Sequence, residues 1–395
     1  MNKLIFGLTQ NELKKKGAIY TANEIFGQPE LWLKTWDLIV ENSLDIKKYL
    51  NKILEKQNLQ IVLTGAGTSA FIGEVLEGPF QKHTNRSSRA IATTNLVTHP
   101  ELYLLKNKPT LLISFARSGN SPESCKAVEL AKSYCNEIYN LIITCNSEGK
   151  LALETKSKND FVFVLPPESD DKSLAMTGSF TSMLLTGLLI SRLDDISNLN
   201  DQKNKIFSYG KRVLDIYSSS LKKAASINFN RAVFLGSGLF SGIARESHLK
   251  LQELSDGKVV CKHDTFLGFR HGPKAVVNEN TLVIYLFSNN KYSQKYEFDL
   301  VESVNNGRGG IYRIGVMEND ISNANLDLKI ILAKDNDSIS EEFLTIISVL
   351  PAQIIAFYKS MELGLEPDNP SKQGVITRVV KGVKLYNYKI NDVIG

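Results

Sequence analysis

Cysteine is scarce. The chain has four in 395 residues, Cys125, Cys135, Cys145 and Cys261. None forms a Cys-x-x-Cys pair, which argues against zinc-ribbon and dithiol redox chemistry and suits reduced thiols in a cytosolic protein. Charge of one sign is scarce too. The 47 basic residues exceed the 42 acidic ones by five, well short of the electrostatic footprint of a nucleic-acid binder. No Gly-x4-Gly-Lys-Ser/Thr sequence occurs, so the triphosphatase phosphate loop is absent. The two most apolar windows are interrupted, one by Thr181, Ser182 and Thr186, the other by Pro351 and Gln353, and neither reads as a membrane span. The opening MNKLIFGLTQNELKKK has no long apolar core and no small-residue cleavage site, so no signal peptide is expected. No side-chain cluster has metal-ligand spacing. Metal, organic cofactor, nucleic acid and membrane are therefore not expected as partners.

The chain does have enough length and apolar content, 43%, for two ordinary domains with real cores. Residues 1–55 read as a helical arm, with Trp32, Trp36 and Ile39 on one stripe. From LQIVLTGAG onward, short apolar strands alternate with helices, the pattern of a parallel sheet covered on both faces. The pattern then repeats. AVFLGSGLFSGIARE echoes IVLTGAGTSAFIGE, and TLVIYLFSNNKY echoes TLLISFARSGNS. Gly65 corresponds to Gly236 and Thr110 to Thr281, and the two pairs share one and the same offset along the chain. The fold class is therefore α/β: two tandem doubly wound, flavodoxin-like parallel-sheet units after an N-terminal helical arm. The units are expected at 56–200 and 210–380, with a boundary in the polar stretch 197–205 and a C-terminal tail over 381–395.

Two strand-to-helix loops of the first unit, GAGTS and ARSGNSPES, fall at the carboxyl end of the sheet, where ligands bind in open parallel folds. Helix N-termini there offer free N–H groups and positive dipole charge to an anion. Gly67 and Gly119 allow close backbone approach, and Thr68, Ser69, Ser118 and Ser121 add hydroxyls. A plainer alternative is that Ser118 or Ser121 only caps the helix opened by Pro122. GAGTSA also fits a dinucleotide fingerprint, but the second strand ends in Ala92, Thr93 and Thr94 without the required acid. The sister loop carries Ser288, Asn289 and Asn290 in place of Arg117, Ser118 and Gly119. One half is expected to hold a phosphate, and the other to serve a different role.

In the second unit, Glu246, Lys250 and Glu253 follow i, i+4, i+7 spacing on one helix face. An ordinary surface ion pair accounts for such spacing. This helix, however, follows the loop GSG and so starts at the ligand end of its sheet, where a carboxylate can act as base and a lysine can hold an anion. Of the five histidines, only His271 sits in a tight Gly-Pro turn, within FRHGPK, and a histidine moves protons near neutral pH.

Taken together, AGTS, ARSGNSPES, ARESHLKLQELSDG and FLGFRHGPKAVV resemble the sugar isomerase (SIS) family. They resemble more closely its agaS-type group of tagatose-6-phosphate ketose/aldose isomerases and galactosamine-6-phosphate deaminases. The segment YTANEIFGQPELW also resembles that group's opening. The resemblance covers nearly the whole chain. It implies that Gly67, Thr68, Ser69, Ser118 and Ser121 bind the sugar phosphate, that Arg117 contacts it, and that Thr177 lines the sugar pocket. It implies that Glu253 moves the proton between C1 and C2, with Lys250 beside it. His271 would open the sugar ring from the neighbouring subunit, so a homodimer with shared active sites is implied. Ala116 departs from the pattern, replacing a phosphate-binding serine, and no C-terminal lysine is assigned near Val375. The function implied is conversion of galactosamine 6-phosphate to tagatose 6-phosphate and ammonia in the cytoplasm. Alternatives are isomerisation of tagatose 6-phosphate, isomerisation or deamination of glucosamine 6-phosphate, and a non-catalytic sugar-phosphate-binding regulator.

Overall fold

The structure is a computed structural model and describes residues 4–321, 324–335, 337–380 and 382–388. Of the tail expected over 381–395, residue 381 and residues 389–395 lie outside the described residues.

Two five-stranded parallel sheets form the body. The first contains β1 (Gln60–Thr64), β2 (Ser87–Ala90), β3 (Thr110–Ala116), β4 (Ile138–Thr144) and β5 (Asp160–Val164), in the order β2-β1-β3-β4-β5. The second contains β6 (Arg231–Gly236), β7 (Val260–Asp264), β8 (Thr281–Leu286), β9 (Tyr312–Met317) and β10 (Leu328–Ile331), in the order β7-β6-β8-β9-β10. Both orders are 2-1-3-4-5, the flavodoxin-like arrangement. Strands β1, β3 and β8 are buried at every residue, which is why they read as unbroken apolar runs. The repeat extends to register: Gln60 faces Thr110 in the first sheet, and their counterparts one repeat on, Arg231 and Thr281, face each other in the second.

The helices after β1 and β6, Thr68–Thr84 and Leu239–Leu254, pack against each other. Glu74 pairs with Arg245, its own counterpart in the repeat. Phe71 meets its counterpart Gly242, where a Cβ would lie 3.0 Å from the Phe71 carbonyl oxygen and 2.6 Å from Val75 Cγ2. Only glycine permits that approach. Equivalent positions touch in this way when an approximate two-fold axis passes between the two helices, and this crossing brings the second unit's helix to the first unit's ligand site.

The N-terminal arm packs on the body. Trp32 and Trp36 are 1% exposed and Ile39 is fully buried, and Trp32 Nε1 donates to Thr181 Oγ1 at 2.9 Å on the buried helix Gly178–Ser191. Large-to-small changes at such aromatic sites cost roughly 3–5 kcal/mol. Two local expectations change. The strand in RAIATT stops at Ala90, and Thr93–Thr98 is a helix. The polar stretch near residue 200 enters the helix Asn200–Arg212, so the chain passes between the units through a helix. The segment Glu341–Glu362 is long and apolar enough to cross a membrane, but its apolar stretch is buried inside the fold.

Candidate active site

Strands β1 and β3 are neighbours at the point where strand order reverses, and both lead into helices whose N-termini open on one cavity. The N-cap residues are Gly67, held at φ 55°, and Ser121. Neither helix is capped by a side chain, so the Ser121 hydroxyl is not spent on its own helix. The Ser118 hydroxyl accepts the Asn120 N–H at 3.2 Å, a bond within the loop. The cavity, about 390 Å³, is lined by residues 66–69, by 115–118 with Ser121 and Ser124, by Leu174 and Met176, by Lys250 and Glu253, and by residues 374–378 with Val380. Three cationic side chains, Arg117, Lys250 and Arg378, face it against one carboxylate, Glu253. This surplus, set at two helix N-termini, suits a small anion.

Lys250 links the two units. Its ammonium donates to Thr68 Oγ1 at 3.0 Å and to Glu253 Oε2 at 2.6 Å, and it lies 3.3 Å from Glu246 Oε1. Burial works to lower its pKa, but Glu246 and then Glu253 outweigh that, and the lysine lies above its ordinary value. The sequence ties this helix face to its own GSG loop, and the structure corrects that. Lys250 lies eleven residues past the helix start at Leu239, about 16 Å along the axis. It is therefore far from its own loop, and it reaches the first unit's cradle because the two helices cross. Glu246 is fully buried, and neither of its oxygens has a well-formed hydrogen bond. Burial raises its pKa to about 8, against the pull of Lys250.

An unfolded chain binds that proton only near the ordinary value of 4.5. The native state therefore carries an extra proton between about pH 4.5 and 8, and this group's contribution to stability falls as pH rises through that window. Glu246→Gln should flatten the dependence of the urea midpoint on pH between about 5 and 8. Parallel curves for variant and wild type would show that Glu246 is ionised throughout.

Arg117 is 6% exposed. Its guanidinium donates to the carbonyls of Ser173 (3.5 Å), Leu174 (3.2 Å) and Arg378, leaving Nε without a partner. It thus ties the wall of the cavity to the C-terminal strap while still facing the cavity. Thr177, expected in the sugar pocket, lies behind that wall. It is fully buried, its N–H donates to Asp171 at 2.7 Å, and its neighbours Leu174 and Met176 line the cavity in its place. His271 is exposed and does not line its own chain's cavity. Ser124 closes the ARSGNSPES loop without having been singled out in it, and no periodicity marks the strap 374–380, Leu174 or Met176, which their neighbours in space place.

The sister position in the second unit is filled by carboxylates. Ser288, the counterpart of Arg117, donates its N–H to Glu297 at 3.1 and 3.3 Å, and its hydroxyl bonds Glu341. Glu297 stands where the first unit has Lys126, and burial raises its pKa to about 8. Glu74, Glu77 and Glu341 line the space beside it and no lysine or arginine does, so this position lacks the cationic surplus of the first unit. Among the described residues, no group of three or more His, Cys, Asp or Glu is gathered at metal-binding distance.

Comparison with known proteins agrees with this geometry. The SIS domain family profile matches residues 53–191. The D-galactosamine-6-phosphate deaminase AgaS of Shewanella sp. (strain ANA-3) is 39% identical over 385 residues, covering 96% of this chain and 95% of the relative. A Clostridium novyi structure carried under the name tagatose-6-phosphate ketose/aldose isomerase superposes with a TM-score of 0.96 at 43% identity, over 98% of this chain and all of that one. The tagatose-6-phosphate ketose/aldose isomerase of Escherichia coli gives 0.85 at 35% identity, over 94% of this chain and 97% of that one. With relatives this similar over nearly its whole length, the chain belongs to the AgaS family of SIS-domain proteins.

Proposed function

We propose that this protein is an amino-sugar 6-phosphate deaminase/isomerase that converts galactosamine 6-phosphate and water to tagatose 6-phosphate and ammonia. The observation that carries this reading is the contact of Lys250 with both Thr68 and Glu253. It sets a carboxylate and an ammonium from one unit beside the anion cradle of the other. The names of the AgaS relatives support the substrate. The phosphate sits on the N–H groups and hydroxyls of residues 67–69 and 118–121. His271 of a second subunit opens the pyranose to the free aldehyde. Glu253 removes the C2 proton, and Lys250 stabilises the negative charge that develops on the C1 oxygen. Returning the proton to C1 leaves a C2 imine and a C1 alcohol. Water adds at C2, the C–N bond breaks, and ammonia leaves the ketose. The protein acts as a cytoplasmic homodimer in this reading.

A sensor that only bound the sugar phosphate would need the cradle but neither Glu253 nor His271. Ammonia and ketose release, measured across galactosamine, glucosamine and N-acetylated 6-phosphates, tests the reading: galactosamine 6-phosphate should be the best substrate, and no turnover of any would sink it. Ser118→Ala should raise KM roughly ten-fold, the effect of losing one hydrogen bond to a charged group, with a smaller change in kcat. An unchanged KM would leave Ser118 as a loop-capping residue only.

A further inference from the structure

The segment YTANEIFGQPELW, residues 20–32, contributes nothing to the cavity lining, yet several of its polar side chains bond to the body of the protein, and Glu24 bonds the loop that carries Leu174 into the lining. Thr21 donates its N–H and its hydroxyl to Asp368 at 2.8 Å each, just before the C-terminal strap. Gln28 meets Gln353 and Thr181, and Trp32 meets Thr181. Glu24 is placed most tellingly. One of its oxygens accepts the N–H groups of Lys172 (2.6 Å) and Ser173 (3.2 Å), and the other accepts the Ser173 hydroxyl.

The loop it grips is held from both sides. The N–H groups of Lys172 and Ser173 go to Glu24, and that of Leu174 goes to the Asp368 carbonyl. The loop's own carbonyls go to two arginines: Asp171 O accepts Arg378 at 2.8 and 2.6 Å, and Ser173 O and Leu174 O accept Arg117. Both arginines and Leu174 line the cavity, and Arg378 belongs to the strap. In the Asp171–Lys172 peptide the two sides meet: Glu24 accepts the Lys172 N–H, which polarises the group and strengthens the Asp171 carbonyl as the acceptor of Arg378.

We propose that Glu24 is a positioning residue for the substrate cavity: it fixes the Asp171–Leu174 loop and, through Arg117 and Arg378, the strap that covers the sugar phosphate. The inference rests on the substrate reading above. Glu24 acts through these groups and touches neither substrate nor the reacting atoms.

The same geometry makes the wall sensitive to pH. Burial, and next the charge of Asp171, push Glu24 up to about 7, against the hydrogen bonds from Ser173 and Lys172. The other charged groups facing this assembly are Asp170, paired with Arg378, Arg117 beyond the loop's carbonyls, Lys172 with its ammonium over the Tyr20 ring, and Asp368 at the start of the Glu24 helix. Below about pH 7 Glu24 gains a proton, and N–H bonds to a neutral carboxyl are weaker than to a carboxylate. KM should therefore rise as pH falls, while kcat, which depends on groups across the cavity, follows its own profile.

The test uses full-length wild type, Glu24→Gln and Ser173→Ala, with galactosamine 6-phosphate from about pH 6 to 8.5. Glu24→Gln should raise KM about five- to ten-fold with kcat within about two-fold, and should lose the wild-type inflection of KM near neutrality. Ser173→Ala removes a bond that lowers the Glu24 pKa and should move that inflection to higher pH. Amide exchange in residues 171–176 and 374–380 should be faster in Glu24→Gln than in wild type. Unchanged KM and exchange, or a fall in kcat with KM unmoved, would overturn the proposal. If wild type releases no ammonia from galactosamine 6-phosphate, the substrate reading falls and the exchange comparison alone decides: faster exchange keeps the positioning role, and equal exchange ends it.

Discussion

Glu253→Gln is expected to lower kcat for ammonia release from galactosamine 6-phosphate by about 10²–10⁴-fold, the usual loss when a general base is removed. That corresponds to roughly 3–5 kcal/mol of activation free energy. The substitution keeps the shape of the side chain and an oxygen for Lys250, but replaces the basic carboxylate proposed to accept the C2 proton with an amide too weakly basic to do so. Folding should survive. Glu253 is 22% exposed at its side chain, and Lys250 keeps Glu246 at 3.3 Å and Thr68 at 3.0 Å as partners. KM should change little, because the proposed phosphate cradle lies in the loops of the other unit. Single-turnover ammonia release, with circular dichroism as the folding control, checks it. Full activity in a folded variant would remove Glu253 from the chemistry.

The repeat was legible because it is written in glycines and apolar runs. Gly67 and Gly238 are counterparts in the two units, with φ of 55° and 57°, and the strand registers follow the same offset. Backbone demands of this kind show directly as residue types. Which unit supplies which group was harder to see. The spacing of Glu246, Lys250 and Glu253 shows that they share a helix face, but not that the face crosses to the other unit. That depends on Gly242 admitting Phe71 and on the pairing of Glu74 with Arg245, contacts between positions far apart in the chain. The strap 374–380 left no trace for the same reason. It forms no helix or strand and is held by side chain-to-backbone bonds from Arg117 and Arg378, which impose no period on the sequence. Thr177 shows the opposite failure. The family resemblance implied that it lines the sugar pocket, but as the residue just before the helix start it turns inward to Asp171 and leaves Met176 on the cavity side.

Two variants that are each nearly inactive should restore activity to one another when mixed. In the proposed mechanism, His271→Ala removes the ring-opening group, and Glu253→Gln removes the base. In the proposed homodimer each cavity takes Glu253 from one chain and His271 from the other. Subunit exchange between equal amounts of the two variants gives half of the dimers as heterodimers. In each heterodimer one cavity carries both substitutions and the other carries neither. Activity should therefore return to roughly a quarter of wild type, as symmetry requires of an interface that pairs a patch with itself. The exposed position of His271, outside its own chain's cavity, motivates the experiment, and a cavity that drew both residues from one chain would give no recovery at any mixing ratio. The His271→Ala variant alone separates the chemical roles further. A substrate supplied in its open-chain form bypasses ring opening, so it should rescue His271→Ala but not Glu253→Gln. Rescue of neither would show that the histidine acts after ring opening, and rescue of both would place Glu253 at ring opening as well.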